Sequence, residues 1–106
     1  MRAVAQRVSA ARVTVGGQVV AVIRRGLLVL VGIAADDTPT EADWLIDKLL
    51  DLRIFENEVG KFDKSLRDVQ GDLLLVSQFT LLADTCKGRR PSFSDAARPE
   101  QAMPLY

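Results

Sequence analysis

The amino-acid sequence predicts an α/β fold: a sheet with a helical layer on one side. Three observations lead there. Strand-like patterning fills the first 25 residues, one strongly signalled helix begins near Thr38, and an apolar strand-like stretch (DLLLVSQFTLL) runs from Asp72 to Leu82. The 106 residues suit one domain, 1–106, because single cores belong to chains of roughly 100–200 residues. Apolar residues make up 48% and charged residues 26%, a balance that favours a packed core over a disordered chain.

Each element has a local cause. Val13-Thr14-Val15 and Gln18-Val19-Val20 flank Gly16-Gly17, and two glycines accept the positive φ angles of a tight hairpin turn. The run Leu27–Ile33 follows as a strand expected to be buried on both faces. Thr38, Pro39 and Glu41 form a helix start with a capping box. Leu45, Ile46, Leu49 and Leu52 then recur at helical spacing, Glu41, Asp47, Lys48 and Asp51 face water, and Trp44 is expected to pack beside the stripe. Arg53-Ile54-Phe55 reads as a short strand, Gly60 as a turn, and the segment around Phe62 and Leu66 as irregular. Pro99 opens a last helix with Arg98 or Ser94 as its polar entry, and Pro104 is expected to disturb it before Leu105-Tyr106.

Composition excludes several chemistries. With no histidine there is no Ser-His-Asp or Cys-His machinery and no His-ligated metal site. One cysteine, Cys86, rules out a disulfide framework and any CxxC site. The longest apolar run, Gly26–Ala35, has half the length of a membrane helix, and Arg7 interrupts the place of a signal-peptide core. A soluble, cytoplasmic protein without membrane partners is expected. The net charge is zero but unevenly spread: +5 before Asp36, all from arginine, −6 from Asp36 to Asp72, and +1 thereafter. The N-terminal excess fits either an RNA-phosphate patch or ordinary arginines on a solvated strand face.

Ser77-Gln78-Phe79-Thr80 is the most unusual stretch. Three polar residues inside an apolar strand suggest a strand end at a pocket, because an unpaired buried polar group costs about 1–3 kcal/mol. A half-exposed strand with alternating polar positions fits equally. Lys87, Arg89 and Arg90, stiffened by Pro91, suit an anionic ligand or a solvated loop. Asp36-Asp37 and Glu56/Glu58 lie at turns and a helix start, where solvation and the helix dipole account for them, so no metal site is expected.

These residues resemble a known family. Gln6-Arg7-Val8, the VTV of Val13–Val15, GLLVLVGI, the RIF at Arg53, and above all VSQFTL followed by RPSF at Arg90–Phe93 are similar to D-aminoacyl-tRNA deacylase, in register from first residue to last. The resemblance implies a layered β/β/α domain with mostly antiparallel or mixed sheets and outer helices, assembled as a homodimer. It implies hydrolysis of the ester between a D-amino acid and the tRNA 3′ end, as chiral proofreading, without cofactor, metal or DNA. Ser77, Gln78, Phe79 and Thr80 fall on the family's SQxxT active-site motif, with backbone N–H groups around Gln78 and Phe79 facing the ester carbonyl. Thr80 is either nucleophile or positioning group, and the 2′-OH of the terminal adenosine is the alternative source of assistance. Arg7, Lys87, Arg89, Arg90 and Ala102 are the expected substrate- and tRNA-binding residues. The family's second motif, a Gly-cis-Pro dipeptide that Arg7 is expected to contact, has no counterpart, since no Gly-Pro dipeptide occurs here. The chain is therefore expected to lack a C-terminal portion, and a non-catalytic RNA-binding or dimerising remnant is the competing expectation.

Overall fold

A computed structural model describes residues 1–106. The elements are β1 (Arg2–Val8), β2 (Ala11–Val15), β3 (Gln18–Ile23), β4 (Gly26–Gly32), α1 (Pro39–Asp51), β5 (Phe55–Glu56), β6 (Phe62–Lys64), α2 (Leu66–Val69), β7 (Asp72–Ser77), the 3-10 turn Phe79–Leu82, and α3 (Pro99–Leu105). One sheet has the strand order β1-β4-β7, and β2-β3 and β5-β6 form two antiparallel hairpins. The expected α/β class with mixed and antiparallel sheets holds.

Contacts divide the chain into two compact units. One comprises Met1–Val4, Leu30–Ile46 and Val76–Tyr106, the other Ala5–Val29 and Asp47–Leu75. The first buries Val31, Ile33, Leu82 and Ala97. The second buries Ile23, Leu27, Val29, Leu49, Phe55, Leu66 and Leu74.

The β2-β3 turn forms as its glycines predict, with φ of 57° at Gly16 and 80° at Gly17. The register shifts between Val13 and Thr14, and Val15, Val19, Val20 and Val22 are exposed. In β4 the odd-numbered side chains are buried while Leu28 and Leu30 are only half-buried, so the two faces are unequal.

α1 begins at Pro39 as expected, but its box is half made. The Glu41 carboxylate accepts from the Thr38 N–H at 2.8 Å and also from the Thr38 hydroxyl, which therefore donates instead of capping a backbone N–H. The complete capping box lies in the segment expected to be irregular. There the Asp68 N–H donates to Ser65 Oγ at 3.1 Å and the Ser65 N–H to Asp68 Oδ2 at 2.9 Å, opening α2. Phe62 likewise lies in a strand, because Asn57 Oδ1 accepts from the Val59 and Lys61 N–H groups and folds the chain back onto Phe55-Glu56. That strand pairing starts at Phe55 rather than Arg53.

Other expectations are corrected. Trp44 is 64% exposed, since it lies about 100° around the helix from the half-buried Leu45 and about 140° from the buried Leu49. Asp37 is buried, not solvated: its carboxylate holds the Met1 ammonium at 2.7 Å and the Ala34 N–H at 2.7 Å. Pro104 does not stop α3, which ends only one residue later with the Tyr106 N–H donating to Ala102 O at 2.9 Å. No helix is long and apolar enough to cross a membrane.

Candidate functional site

The Asp72–Leu82 stretch is not one strand. β7 ends at Ser77, the Gln78 backbone is extended, and Phe79–Leu82 winds into the 3-10 turn. Two features fix this change of course. The Gln78 N–H donates to Val31 O at 2.7 Å, tying the turn to the end of β4. Gly32 beside it has no Cβ, and one built there would overlap the Leu82 side chain and sit 3.1 Å from Gln78 O. Leu82 is thus buried directly over Gly32 and anchors the turn.

The turn's first two N–H groups, on Phe79 and Thr80, have no acceptor within the chain, as expected where a helical turn begins. The donor expected at Gln78 is spent on Val31. The Gln78 amide Nε2 donates to Thr80 Oγ1. An amide donor occupies a lone pair of that hydroxyl and cannot take its proton.

Ser77 and Phe79 line a cleft of about 500 Å³ together with Phe93, Ala96, Ala102 and Met103. Most of this wall is apolar. Phe79 and Phe93 meet edge to face, with ring centroids 5.3 Å apart and planes at 74°. Among the expected residues, Ser77, Phe79 and Ala102 share the cleft wall, while Gln78, just before the 3-10 turn, and Thr80, within it, do not line the cleft. Phe93, Ala96 and Met103 carry no periodic signal, because each reaches the cleft through a contact distant in sequence.

Lys87, Arg89 and Arg90 are exposed on a loop closed at its base by Asp84 and Ser92, which exchange two backbone hydrogen bonds of 2.7 Å. Gly88 takes φ 71° within it. The Cys86 N–H donates to Asp84 Oδ1 at 2.9 Å, and this bond leads the causes that hold the Asp84 carboxyl below its usual value. Cys86 is exposed and unpaired.

Arg7 belongs to the other unit. Its guanidinium lies 4.8 Å over the Phe62 ring and 3.6 Å from Glu56 Oε1. It borders an open basin with Arg25, which stacks on Phe55 at 5.4 Å. No three carboxylates or thiols gather where a metal ion could be held.

Comparison with known proteins gives the family. A family model described as D-Tyr-tRNA(Tyr) deacylase matches residues 4–106. The D-aminoacyl-tRNA deacylase of Opitutus terrae is 59% identical over 106 residues, all of this chain and 71% of that protein. That of Clostridioides difficile is 57% identical over the same shares, 100% and 71%. A solved structure described as c-Myc DNA Unwinding Element Binding Protein superposes with TM-score 0.93 at 48% identity, covering 100% of this chain and 71% of that one. A probable eukaryotic D-amino acid tRNA deacylase, 22% identical, shares the fold at TM-score 0.83 over 98% of this chain and 61% of that one. The class is therefore that of the tRNA deacylases. This chain belongs to the D-Tyr-tRNA(Tyr) deacylase family and spans 71% of the length of its relative in Opitutus terrae.

Proposed function

We propose that this chain hydrolyses the ester of D-aminoacyl-tRNA, releasing free D-amino acid and tRNA, as a proofreading step in the cytoplasm. The supporting observation is the pair of unengaged N–H groups on Phe79 and Thr80 beside an apolar cleft. Donors already fixed by the fold stabilise a developing oxyanion without reorganising, and removal of one such donor costs about 10²–10³ in rate in a well-studied protease.

Water is the attacking group and the ester oxygen leaves with a proton. A threonine hydroxyl is a weak nucleophile without a base, and the chain has no histidine to serve as one. The Gln78 amide on Thr80 Oγ1 is a donor, so Thr80 positions the substrate through its own O–H. The adjacent 2′-OH of the terminal adenosine assists the attack on the 3′ ester. The basic loop carrying Lys87, Arg89 and Arg90 takes tRNA phosphates.

A homodimer belongs to the same proposal. Val15, Val19, Val20 and Val22, each 51–65% exposed on one hairpin, form an apolar surface suited to a partner subunit.

Incubation with D-aminoacyl-tRNA and its L counterpart, with release of labelled amino acid as readout, tests the activity. Release from the D form at a rate proportional to protein concentration is expected. Saturable tRNA binding without release would contradict it and favour a non-catalytic RNA-binding chain.

A further inference from the structure

The Phe79–Phe93 contact closes a ring in the chain. Phe79 opens the 3-10 turn, the turn ends at Ala83, and Asp84 pairs at once with Ser92. Phe93 then folds back onto Phe79. The fourteen-step path from Phe79 to Phe93 is thus fastened twice, by two backbone hydrogen bonds and by one aromatic pair. On its far side Phe93 is held equally well. Its carbonyl accepts from the Ala96 N–H at 3.1 Å, the Ala35 N–H donates to Asp95 O at 3.0 Å, and the Ala97 N–H donates to Ile33 O at 2.8 Å.

The two rings are not core residues. Phe79 is 57% exposed and Phe93 37%, so hydrophobic burial alone does not explain where they sit. The edge-to-face geometry is directional, which a pair of aliphatic side chains would not be. Phe79 carries one of the two free N–H groups and belongs to a four-residue turn. So short a turn draws its orientation from outside contacts.

We infer that Phe93 is a positioning residue for the deacylation reaction: its ring fixes Phe79, and through Phe79 the free N–H groups of Phe79 and Thr80, against the stitched segment 92–97. The inference rests on the deacylase reading for its kinetic consequence, but not for its geometry.

Three variants test it in the full chain: Phe93→Tyr, Phe93→Leu and Phe93→Ala. Tyrosine keeps an aromatic edge, leucine keeps apolar bulk only, and alanine removes both. With D-aminoacyl-tRNA, Phe93→Leu should lower kcat about threefold to tenfold with KM within about twofold, and Phe93→Tyr should restore kcat. Amide exchange of Leu81, Leu82 and Ala83 should quicken selectively in Phe93→Leu and return to the original rate in Phe93→Tyr. A Phe93→Leu enzyme with unchanged kcat overturns the inference. So does a raised KM at constant kcat, which would make Phe93 a binding residue. Should the unaltered chain release no amino acid, the deacylase reading fails. Exchange then decides the positioning role alone, and unchanged exchange in both Phe93→Leu and Phe93→Ala overturns it.

Discussion

The N–H of Gln78 donates to the carbonyl of Val31 at 2.7 Å, so the second residue of the SQFT motif is structural at its backbone. The next two N–H groups are the ones left open. In the proposed mechanism the donors are therefore those of Phe79 and Thr80, one residue along the motif from the expected Gln78 and Phe79. With the Gln78 amide donating to Thr80 Oγ1, Thr80→Ala removes a positioning hydroxyl and leaves both backbone donors in place. We expect that variant to stay within about 10² of the original single-turnover rate. Loss of a true nucleophile costs on the order of 10⁶ in a serine protease, so a drop of that size would make Thr80 the attacking group.

Gly32 supports the same turn from beneath. A Cβ there would overlap the Leu82 side chain and press on Gln78 O. Gly32→Ala should therefore destabilise the protein by about 1–3 kcal/mol, as overpacked sites do, and slow deacylation further than Thr80→Ala does. Thermal melts and turnover measured on one preparation check both parts.

The basic loop makes an electrostatic prediction. If Arg89 and Arg90 contact tRNA phosphates, affinity falls with salt, and each contact removed lowers the log–log slope by about 0.7–0.9. Arg89→Ala and Arg90→Ala should each do so to a similar degree for different tRNAs. Binding titrations across salt concentration give the slopes.

The cap of α2 links stability to pH. Ser65 is buried, and Ser65→Ala should cost about 1 kcal/mol, the usual loss for an N-cap, lowering Tm by a few degrees. The Ser65 N–H, above all, holds the Asp68 carboxyl below its usual value of 3.8. A carboxyl depressed in the folded state contributes stability above its unfolded value and loses it as pH falls through the folded value. Glu41, Asp63 and Asp84 are lowered too. Stability should be level between about pH 5 and 7 and fall below about pH 4, less steeply in Asp68→Asn. Denaturant midpoints measured at each pH test this.

Legibility in the sequence followed the range of the interactions. Gly16-Gly17 and Pro39 act within a few residues, and the hairpin and α1 fall where they predict. The polar Ser77-Gln78-Phe79-Thr80 stretch fitted either a strand end at a pocket or a half-exposed strand: β7 does end at Ser77 beside the cleft, yet Ser77 and Thr80 are exposed and Gln78 is half-buried. What remained hidden depends on distant contacts. The bend at Gln78 needs Val31 and Gly32, nearly fifty residues away, so the turn reads from sequence as more strand. Phe93 has meaning only beside Phe79. Asp37 reads as a solvated turn residue until the Met1 ammonium is found against it. The Ser65/Asp68 box was local and readable, yet α2 is a single turn of four residues, too short for apolar periodicity to show.

In the proposed mechanism, main-chain donors and the RNA's own hydroxyl perform the hydrolysis. The most direct test compares single-turnover deacylation of D-aminoacyl-tRNA ending in adenosine with the same tRNA ending in 2′-deoxyadenosine, at saturating protein. The deoxy substrate should bind with similar affinity and react at least about tenfold more slowly, as loss of an interaction made only in the transition state would require. Equal rates, or an aminoacyl ester trapped on Thr80, would contradict the mechanism and assign the attack to the protein.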